Sequence, residues 1–432
     1  MTDLLSRALR VIPSGCSTFS KSRGQWPTNA PSHLVGGVGA HVWDTDDREF
    51  IDFTLGLGPI ILGYQDPDVE GAVDDARAAG PILSMPHPLE VDVAEALVDV
   101  IPCAEMVKFG LSGSDATSAA IRCARAFTGR SHIISFGYHG WHDWACPNRQ
   151  GIVSDMEAHG HEDAVTRHYE TWQKWADHVY GGSPNEWGGW SYPDAEYVAA
   201  IIVEPEYTED LAALRTFCTD NGIVLIFDEV LTGFRVALGG FQDYSGVIPD
   251  LATFSKAMGN GYPVSAVVGK REIMQTFEKI GFSGTFFGST LGLAAAKAVI
   301  RKMRAEPVIE RLWKHGIALH AAFNDASVEF GVAARLGGLA PRLAFHFPLD
   351  TEQDPIVRDQ PARLPWRTLF AQELIARGIL ANFGLTMCYA HSEYDIERAC
   401  EAIRGAFKVL ASVDDPRERL VGDPAGAGVR PA

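Results

Sequence analysis

The sequence predicts an α/β protein with a mainly parallel sheet, and three observations support this fold class. Short segments such as residues 199–205 (AAIIVEP) and 223–230 (IVLIFDEV) are apolar almost throughout. Strands of this kind are typical of parallel sheets whose two faces are covered by helices. Segments with helical spacing and clear end signals separate them. Polar residues such as Asp228 also follow the apolar strands, at the ends where α/β sheets bind ligands.

Length and composition fit a globular protein and argue against several other classes. The 432 residues are 46% hydrophobic and 21% charged, enough for about two to three domains with a large core. No run of about 18 apolar residues occurs, and the N-terminus lacks a signal-peptide pattern, so we expect no membrane segment. The seven cysteines form no CxxC pair, which favours reduced thiols in a cytoplasm. A net charge of −18 argues against binding to nucleic acid or anionic membrane.

The predicted elements follow one another in a regular order. Residues 40–53 (AHVWDTDDREFIDF) alternate around a polar turn and predict a hairpin, and residues 89–101 have the apolar spacing of a helix. Strands are then predicted at 107–110, 132–136, 199–205, 223–230, 251–256 and 264–269, and helices at 114–129 and 211–222, which end at Gly129 and Gly222. This alternation predicts βαβ units.

Residues 151–197 interrupt the alternation. They contain four tryptophans and the Gly- and Pro-rich stretch GGSPNEWGGWSYPD. Such a segment is typical of an irregular surface insertion with packed aromatic side chains, or of a substrate lid or subunit contact.

Lys256 and Asp228 are the first candidates for catalysis. Lys256 ends a short strand and is followed by Gly259 and Gly261, so the backbone there can approach another group closely. A lysine that forms a Schiff base must be desolvated enough to lose its proton. Asp228 ends an apolar strand, and a protonated pyridine nitrogen is a cation that would compensate its burial. Taken singly, the two residues also fit an exposed charge and a turn cap.

A phosphate site and a ring-stacking site are predicted nearby in the sequence. The small-residue loop GLSGSDATSAA (110–120) runs into a helix N-terminus, whose free N–H groups bind anions. A plain helix cap is the alternative. The segment FGYHGWHDW (136–144) offers Tyr138 for stacking on a planar ring. His139 and His142 have a spacing that suits zinc, but no further ligand cluster accompanies them, so we predict no metal site.

Jointly these segments resemble a class III PLP-dependent aminotransferase of fold type I, and most closely the glutamate-1-semialdehyde aminomutase branch. The resemblance covers roughly residues 10–410 in the same order. It rests on GSDAT (113–117), YHG (138–140), VEP (203–205), DEVLTGFR (228–235), PDLATFSKAMGNGYP (249–263) and SGTFFGSTLGLAAA (283–296).

The resemblance implies a role for each matching residue. Lys256 resembles the lysine that carries pyridoxal 5′-phosphate (PLP) as a Schiff base and later moves the substrate proton. Asp228 resembles the aspartate on the pyridine nitrogen, and Tyr138 and Val230 resemble the residues on the two ring faces. Lys256, Asp228 and Tyr138 are the predicted catalytic residues. The other predicted cofactor-binding residues are Gly113, Ser114, Asp115 and Ala116 in the phosphate loop, His139, Glu204 near the ring, and Thr285, which resembles a threonine that reaches the phosphate from the neighbouring subunit.

The resemblance also implies a domain plan and an assembly. A large PLP-binding domain is expected at residues 56–297, including the insertion at 151–197. A smaller α+β domain is expected from both termini, at 1–55 and 298–412, and the Pro-, Gly- and Ala-rich tail at 413–432 is expected to be disordered. A homodimer with shared active sites is implied, because the family's sites form at a subunit interface.

The match departs from the aminomutases where the substrate is expected. Those enzymes carry an arginine after a PGG segment, whereas PSGCSTFSKSRG places Lys21 there, with Arg23 and Trp26 close behind. Lysine lacks the bidentate fork with which arginine holds a carboxylate. The segment GTFFGST also differs from the aminomutases' GTLSGNP. We therefore expect a ping-pong reaction between an amino-acid donor and an oxo-sugar or aminocyclitol acceptor of the aminoglycoside kind, with Lys21, Arg23 and Trp26 as substrate contacts.

Other functions remain open from the sequence. An amino-acid aminomutase or transaminase of the glutamate-1-semialdehyde type is the main alternative. PLP-dependent epimerisation or decarboxylation is another, because the same cofactor linkage supports them. A PLP-fold protein without catalysis and a structural sugar-binding module are the non-enzymatic hypotheses.

Overall fold

The computed structural model describes residues 4–145, 166–168, 195–208, 210–347 and 364–426. The chain divides into two units. The terminal unit consists of Met1–Asp66 and Glu310–Ala432, and the sheet unit consists of Pro67–Ile309.

Helices and strands in the described residues are numbered in chain order. The strands are β1 (Leu34–Val38), β2 (His41–Asp44), β3 (Glu49–Asp52), β4 (Met106–Gly110), β5 (His132–Phe136), β6 (Thr166–His168), β7 (Val198–Val203), β8 (Val224–Asp228), β9 (Leu251–Phe254), β10 (Ser265–Gly269), β11 (Arg335–Leu339), β12 (Arg342–His346), β13 (Ile379–Leu380) and β14 (Gly384–Thr386). The α-helices are α1 (Leu4–Val11), α2 (Pro67–Ala79), α3 (Pro88–Val100), α4 (Gly113–Thr128), α5 (Leu211–Asn221), α6 (Phe241–Ser245), α7 (Arg271–Met274), α8 (Thr290–Ala305), α9 (Val308–Phe330), α10 (Leu364–Ala376) and α11 (Glu393–Leu410).

The sheet unit is built on a seven-stranded sheet in the order β4-β10-β9-β8-β7-β5-β6. Strands β6, β5, β7, β8 and β9 run parallel to one another, whereas β10 is antiparallel to both β9 and β4. Every residue of β7, β8, β9 and β10 is buried, which is why these strands are apolar on both faces. The predicted α/β class with a mainly parallel sheet is therefore confirmed.

Helix α4 begins where the sequence predicts it to begin. Ser112 and Asp115 form a reciprocal capping box at its N-terminus, and Gly129 ends it with a left-handed φ of 68°. One face of the helix, which includes Ala116, Ala120 and Cys123, packs into the core under the sheet. The carboxyl ends of the parallel strands and the start of α4 therefore lie in one unit with a shared core.

The terminal unit has two small sheets and three long helices. One sheet has the order β1-β2-β3-β13 and contains the predicted hairpin as β2 and β3, and the other has the order β11-β12-β14. Helices α9, α10 and α11 surround a cluster of five aromatic rings whose centroids lie 4.8 to 6.3 Å apart, formed by Phe323, Phe345, Phe347, Phe370 and Phe407. Each buried ring contributes about 2 kcal/mol to stability by leaving water.

Two segments differ from expectations based on composition. Residues 166–168, within the stretch expected to be irregular, form β6 and extend the sheet at β5, while most of 151–197 lies outside the described residues.

The tail expected to be disordered is hydrogen bonded as far as residue 426. The Val421 N–H donates to Gln372 at 2.8 Å and the Ala425 N–H to Thr368 at 2.9 Å. Polar side chains on α10 thus satisfy the tail's backbone, and composition cannot show this.

None of the helices in the described part of the chain combines the length and hydropathy needed to cross a bilayer.

Candidate active site

Lys256 follows β9 in an unusual backbone conformation. Its φ is +43°, in the left-handed region, and it begins a single 3₁₀ turn that ends at Gly259. A non-glycine residue held there costs about 1–2 kcal/mol, which the surrounding structure must offset. Part of that support is local, because the Ser255 hydroxyl donates to the Val264 carbonyl at 2.8 Å. Strain of this kind is typical of functional residues.

Asp228 is the last residue of β8, and its side chain is buried. The Val230 N–H donates to Asp228 Oδ1 at 3.0 Å, and the Thr253 hydroxyl lies 3.3 Å from the same oxygen. Thr253 pairs with Asp228 across the parallel strands β8 and β9, and Lys256 lies three residues beyond Thr253. Lys256 and Asp228, two of the three residues predicted to be catalytic, are therefore brought to the same end of adjacent strands.

His139 contacts the second carboxylate oxygen of Asp228. Its Nδ1 lies 2.7 Å from Asp228 Oδ2, and its Nε2 lies 3.1 Å from the Phe136 carbonyl oxygen. Both neighbours are oxygen atoms that can accept hydrogen bonds, so each ring nitrogen lies against an acceptor. The contact between His139 and Asp228 joins two buried side chains.

The loop that carries Tyr138 and His139 depends on two glycines. Gly137 and Gly140 both have a φ of +109°. A Cβ at Gly137 would lie 2.4 Å from the Glu204 carboxylate, and one at Gly140 would lie 2.4 Å from the Ser114 hydroxyl. Glu204 in turn accepts a hydrogen bond from the Tyr138 N–H at 3.0 Å. The loop is thus held against β7 and the start of α4, and the Tyr138 side chain is left 52% exposed.

The start of α4 offers two backbone donors for an anion, the N–H groups of Gly113 and Ser114. The next two N–H groups of the helix are already hydrogen bonded. The Asp115 N–H donates to Ser112 Oγ at 3.2 Å, and the Ala116 N–H donates to the Ser112 carbonyl at 3.2 Å. Asp115 also turns its carboxylate back onto the Ser112 N–H at 2.8 Å. In the described part of the chain, the N–H groups of Gly113 and Ser114 are left to face a ligand.

Val230 closes this corner of the site. A Cβ at Gly113 would lie 2.9 Å from a Val230 methyl group, so only glycine lets the start of α4 approach the residue that follows the Asp228 strand. Gly113, Ser114, Tyr138, His139, Glu204, Asp228 and Val230 are therefore linked by direct contacts. Together they offer backbone anion donors, an aromatic and an aliphatic side chain, and a carboxylate, a set that fits a pyridine phosphate.

Four further residues, Thr285, Lys21, Arg23 and Trp26, were predicted to contact the cofactor or the substrate. Thr285 is exposed on a turn, and its predicted role toward a neighbouring subunit stays a prediction. Lys21, Arg23 and Trp26 belong to the terminal unit. Lys21 is exposed, and the Trp26 indole N–H donates to the Ser20 carbonyl at 3.1 Å.

Arg23 is already engaged by its own loop. Its guanidinium donates to the carbonyl of Pro27 at 2.7 Å and to that of Thr28. Burial lowers the pKa of this guanidinium.

Two hydroxyl groups that support the site were missed from the sequence. Thr253 hydrogen bonds to Asp228, and the Thr117 hydroxyl donates to the His139 carbonyl at 2.7 Å. Thr253 had a visible signal, since it is a polar residue inside the apolar strand LATF. Thr117 had none, because a threonine in the first turns of a helix is common.

Comparison with known proteins decides the family. The model of the family described as aminotransferase class-III matches residues 24–165 and 189–397. The chain belongs to this family. It is therefore a PLP-dependent enzyme of the aminotransferase class, and the predicted family, cofactor and enzyme class are confirmed.

Relatives and solved structures agree over nearly the whole chain. A 3-aminobutyryl-CoA aminotransferase from Cloacimonas acidaminovorans is 31% identical over 407 residues, which cover 93% of this chain and 95% of the relative. A glutamate-1-semialdehyde 2,1-aminomutase from Fusobacterium nucleatum is 35% identical over 434 residues, covering 94% and 97%. The FumI protein of Sphingopyxis sp., solved in its PLP internal aldimine form, has a TM-score of 0.83 at 28% identity and 98% coverage of both chains.

Proposed function

We propose that this enzyme transfers an amino group from an amino-acid donor to the oxo group of a sugar or aminocyclitol, in the manner of aminoglycoside biosynthesis. The observation that carries the proposal is the N-terminal segment. Lys21 stands where the aminomutase branch has its carboxylate-binding arginine, and the nearby Arg23 guanidinium is bound to two loop carbonyls. No arginine fork is therefore offered by this segment to a substrate carboxylate. The net charge of −18 also suits a cationic amino sugar.

The residues of the site have distinct proposed roles. PLP supplies an electron-accepting ring that stabilises negative charge on the substrate carbon. Lys256 would hold the cofactor through its Nζ, and its free amine would take the proton from the substrate carbon that bears the amine. Asp228 holds the protonated ring nitrogen, and His139 keeps the Asp228 carboxylate in place.

The other contacts position the cofactor. The N–H groups of Gly113 and Ser114 bind the phosphate, with Asp115 and Ala116 completing the helix start. Tyr138 and Val230 bracket the ring on its two faces. Glu204 accepts the Tyr138 N–H at 3.0 Å, and would thereby orient the Tyr138 backbone near the ring.

A cytoplasmic homodimer with shared active sites forms part of the proposal. Met85 and Phe286 are 76% and 60% exposed in the single chain, and large exposed apolar side chains are typical of subunit interfaces. Thr285 is the residue that would bind the neighbour's phosphate. Mixing Lys256→Ala and Thr285→Ala subunits tests this directly, because one site of the mixed dimer then has both intact residues. Activity in the mixture supports sharing, and a mixture as inactive as Lys256→Ala alone argues against it.

A second candidate is an amino-acid aminomutase or transaminase. It is favoured by the relatives, several of which are glutamate-1-semialdehyde aminomutases at 30 to 35% identity over 80% or more of this chain. A β-phenylalanine aminotransferase from Variovorax paradoxus, with a TM-score of 0.80 at 25% identity, points to amino-acid substrates as well.

The half-reaction distinguishes the candidates. The PLP form of the enzyme is mixed with single amines, and conversion to the pyridoxamine form is followed by absorbance. We expect amino sugars or aminocyclitols and one common amino acid to convert it. A fast response to diaminovalerate, with none to any amino sugar, would overturn the proposal in favour of the aminomutase. Loss of the response in Lys256→Ala is the control.

A further inference from the structure

A hydrogen-bonded group behind the site is centred on Ser118. Ser118 lies one turn after Ser114 on α4, and its Oγ is 2.7 Å from the Trp144 indole nitrogen and 2.6 Å from His142 Nδ1. We call Ser118, His142 and Trp144 the Ser118 clasp. It ties the chain that follows the Tyr138–His139 loop to the helix whose N-terminus faces the predicted phosphate site.

The donors and acceptors of the clasp can be assigned. An indole N–H only donates, so Trp144 donates to Ser118. Among the described residues, the acceptor in reach of the Ser118 hydroxyl proton is His142 Nδ1. His142 therefore carries its own ring proton on Nε2 when neutral. The Ser118 hydroxyl thus accepts one hydrogen bond and donates another. Its removal leaves the Trp144 N–H without this acceptor.

Trp144 connects the clasp to the cofactor-binding carboxylate. Its side chain is buried, and its ring lies parallel to the His139 imidazole, with an interplanar angle of 11° and centroids 6.4 Å apart. His139 is the residue whose Nδ1 lies 2.7 Å from Asp228. The neighbouring Thr117 holds the His139 backbone carbonyl at 2.7 Å. Helix α4 thus fixes the His139 backbone through Thr117 and limits the position of its ring through Ser118 and Trp144.

We propose that Ser118, acting through Trp144, is a positioning residue for the His139–Asp228 pair, and that it sets the affinity for PLP and the interaction of Asp228 with the cofactor ring. This inference rests on the role proposed above for Asp228. The physical reason is geometric, because binding groups must be held within about 0.5 Å of their working position by a supporting layer of contacts. His139 touches Asp228 directly, and Trp144 is the ring that lies alongside His139.

The main test uses the apoprotein and PLP. For Ser118→Ala we expect the dissociation constant of PLP to rise about tenfold, because PLP would then have to draw the loosened His139–Asp228 pair back into its working position. We also expect a shift in the visible absorbance of the bound cofactor and in its dependence on pH. Ser118→Thr keeps the hydroxyl and should restore both values. Trp144→Phe keeps a ring without the N–H and should change both in the same direction by less.

A double-mutant cycle separates the clasp from the proposed function. In the Asp228→Asn background, Ser118→Ala should have little additional effect on PLP binding, because its effect passes through Asp228. If Asp228→Asn itself leaves PLP affinity and the spectrum unchanged, the proposed role of Asp228 fails. If Asp228→Asn changes both but Ser118→Ala and Trp144→Phe change neither, only the positioning role fails.

A matched control addresses a purely structural role. Ser327 is a buried serine of the terminal unit, and its hydroxyl lies 2.7 Å from the Val332 carbonyl and 2.8 Å from the Ala334 carbonyl. Ser327→Ala should lower the melting temperature without changing PLP affinity or the spectrum. If Ser118→Ala behaves in the same way as Ser327→Ala, the proposal is wrong. Should Ser118→Ala fail to fold, Trp144→Phe decides by the same measurements.

Discussion

Two buried aspartates, one in each unit, occupy similar places and have different partners. Asp228 ends β8 in the sheet unit, and Asp52 ends β3 in the terminal unit. Each accepts a backbone N–H from the residue two positions later, at 3.0 Å for Asp228 and 2.7 Å for Asp52. The second oxygen of Asp228 faces His139, whereas that of Asp52 accepts the Tyr64 hydroxyl at 2.7 Å.

The partners indicate why the two residues serve different purposes. Asp228 lies against a histidine ring, and a cationic cofactor ring is proposed as its further partner. Asp52 accepts hydrogen bonds from three neutral donors, the N–H groups of Thr54 and Leu55 and the Tyr64 hydroxyl, and burial raises its pKa. These donors hold a turn in which Leu55 and Leu57 have φ values of +50° and +78°. Burial alone therefore does not mark a catalytic carboxylate, and the chemistry of its partner is the better guide.

The largest expected effect is that of Asp228→Asn. The amide keeps the shape but cannot balance a protonated ring nitrogen, so kcat/KM should fall by about 10²–10³, the range seen when one preorganised electrostatic contact is removed. The melting temperature of the apoprotein should change little, because Val230 and Thr253 can still donate to the amide oxygen and the amide nitrogen can donate to His139 Nδ1. Steady-state kinetics and thermal unfolding of the same sample measure both. A large loss of stability with normal kinetics would remove the distinction between the two aspartates.

Asp52→Ala should show the opposite pattern. It leaves the N–H groups of Thr54 and Leu55 and the Tyr64 hydroxyl without their acceptor, so the free energy of unfolding should fall by about 3 kcal/mol. PLP affinity should stay within about twofold, because no cofactor-binding role is proposed for Asp52. Denaturant unfolding and PLP titration test the two halves of this prediction. A tenfold loss of PLP affinity in the folded variant would contradict it.

The sequence predicted the features that depend on neighbouring residues and missed those that depend on residues far apart in the chain. Local patterns predicted the apolar strands, the capped helix α4 and the candidate residues Lys256 and Asp228. The His139–Asp228 contact joins residues 89 positions apart, and no local pattern predicts such a contact. The antiparallel direction of β10 depends on how the chain turns after Lys256. The order in the tail depends on Gln372 and Thr368, which lie on a distant helix.

A pH dependence of stability is expected from the terminal unit. Burial lowers the pKa of His391 from 6.5 to about 4, and the ring stacks on Phe53 with centroids 4.3 Å apart. Because the folded pKa lies below the unfolded one, the stabilisation is complete above about pH 6.5 and is lost as pH falls toward 4. A shift of this size corresponds to about 3 kcal/mol.

The comparison of wild type with His391→Gln isolates this residue. Glutamine does not titrate, so the difference in free energy of unfolding between the two proteins should narrow between pH 7 and pH 5. Urea unfolding at several pH values measures it. The charged groups that also influence the pKa of His391 are Asp395 and His315, and both are the same in the two proteins. Parallel pH curves would show that His391 does not carry the dependence.

The test with the smallest expected effect removes, for each aspartate, one hydroxyl group that hydrogen bonds to it. Thr253→Val deletes the 3.3 Å contact to Asp228, and Tyr64→Phe deletes the 2.7 Å contact to Asp52, while both keep nearly the same shape. Each hydroxyl is worth about 1 kcal/mol, or roughly a fivefold change in an equilibrium constant. We expect Thr253→Val to weaken PLP binding by that factor and Tyr64→Phe to lower only the free energy of unfolding. The two changes are of similar size. If Thr253→Val lowered only the free energy of unfolding and Tyr64→Phe weakened PLP binding, the partner of a buried aspartate would not determine its role here.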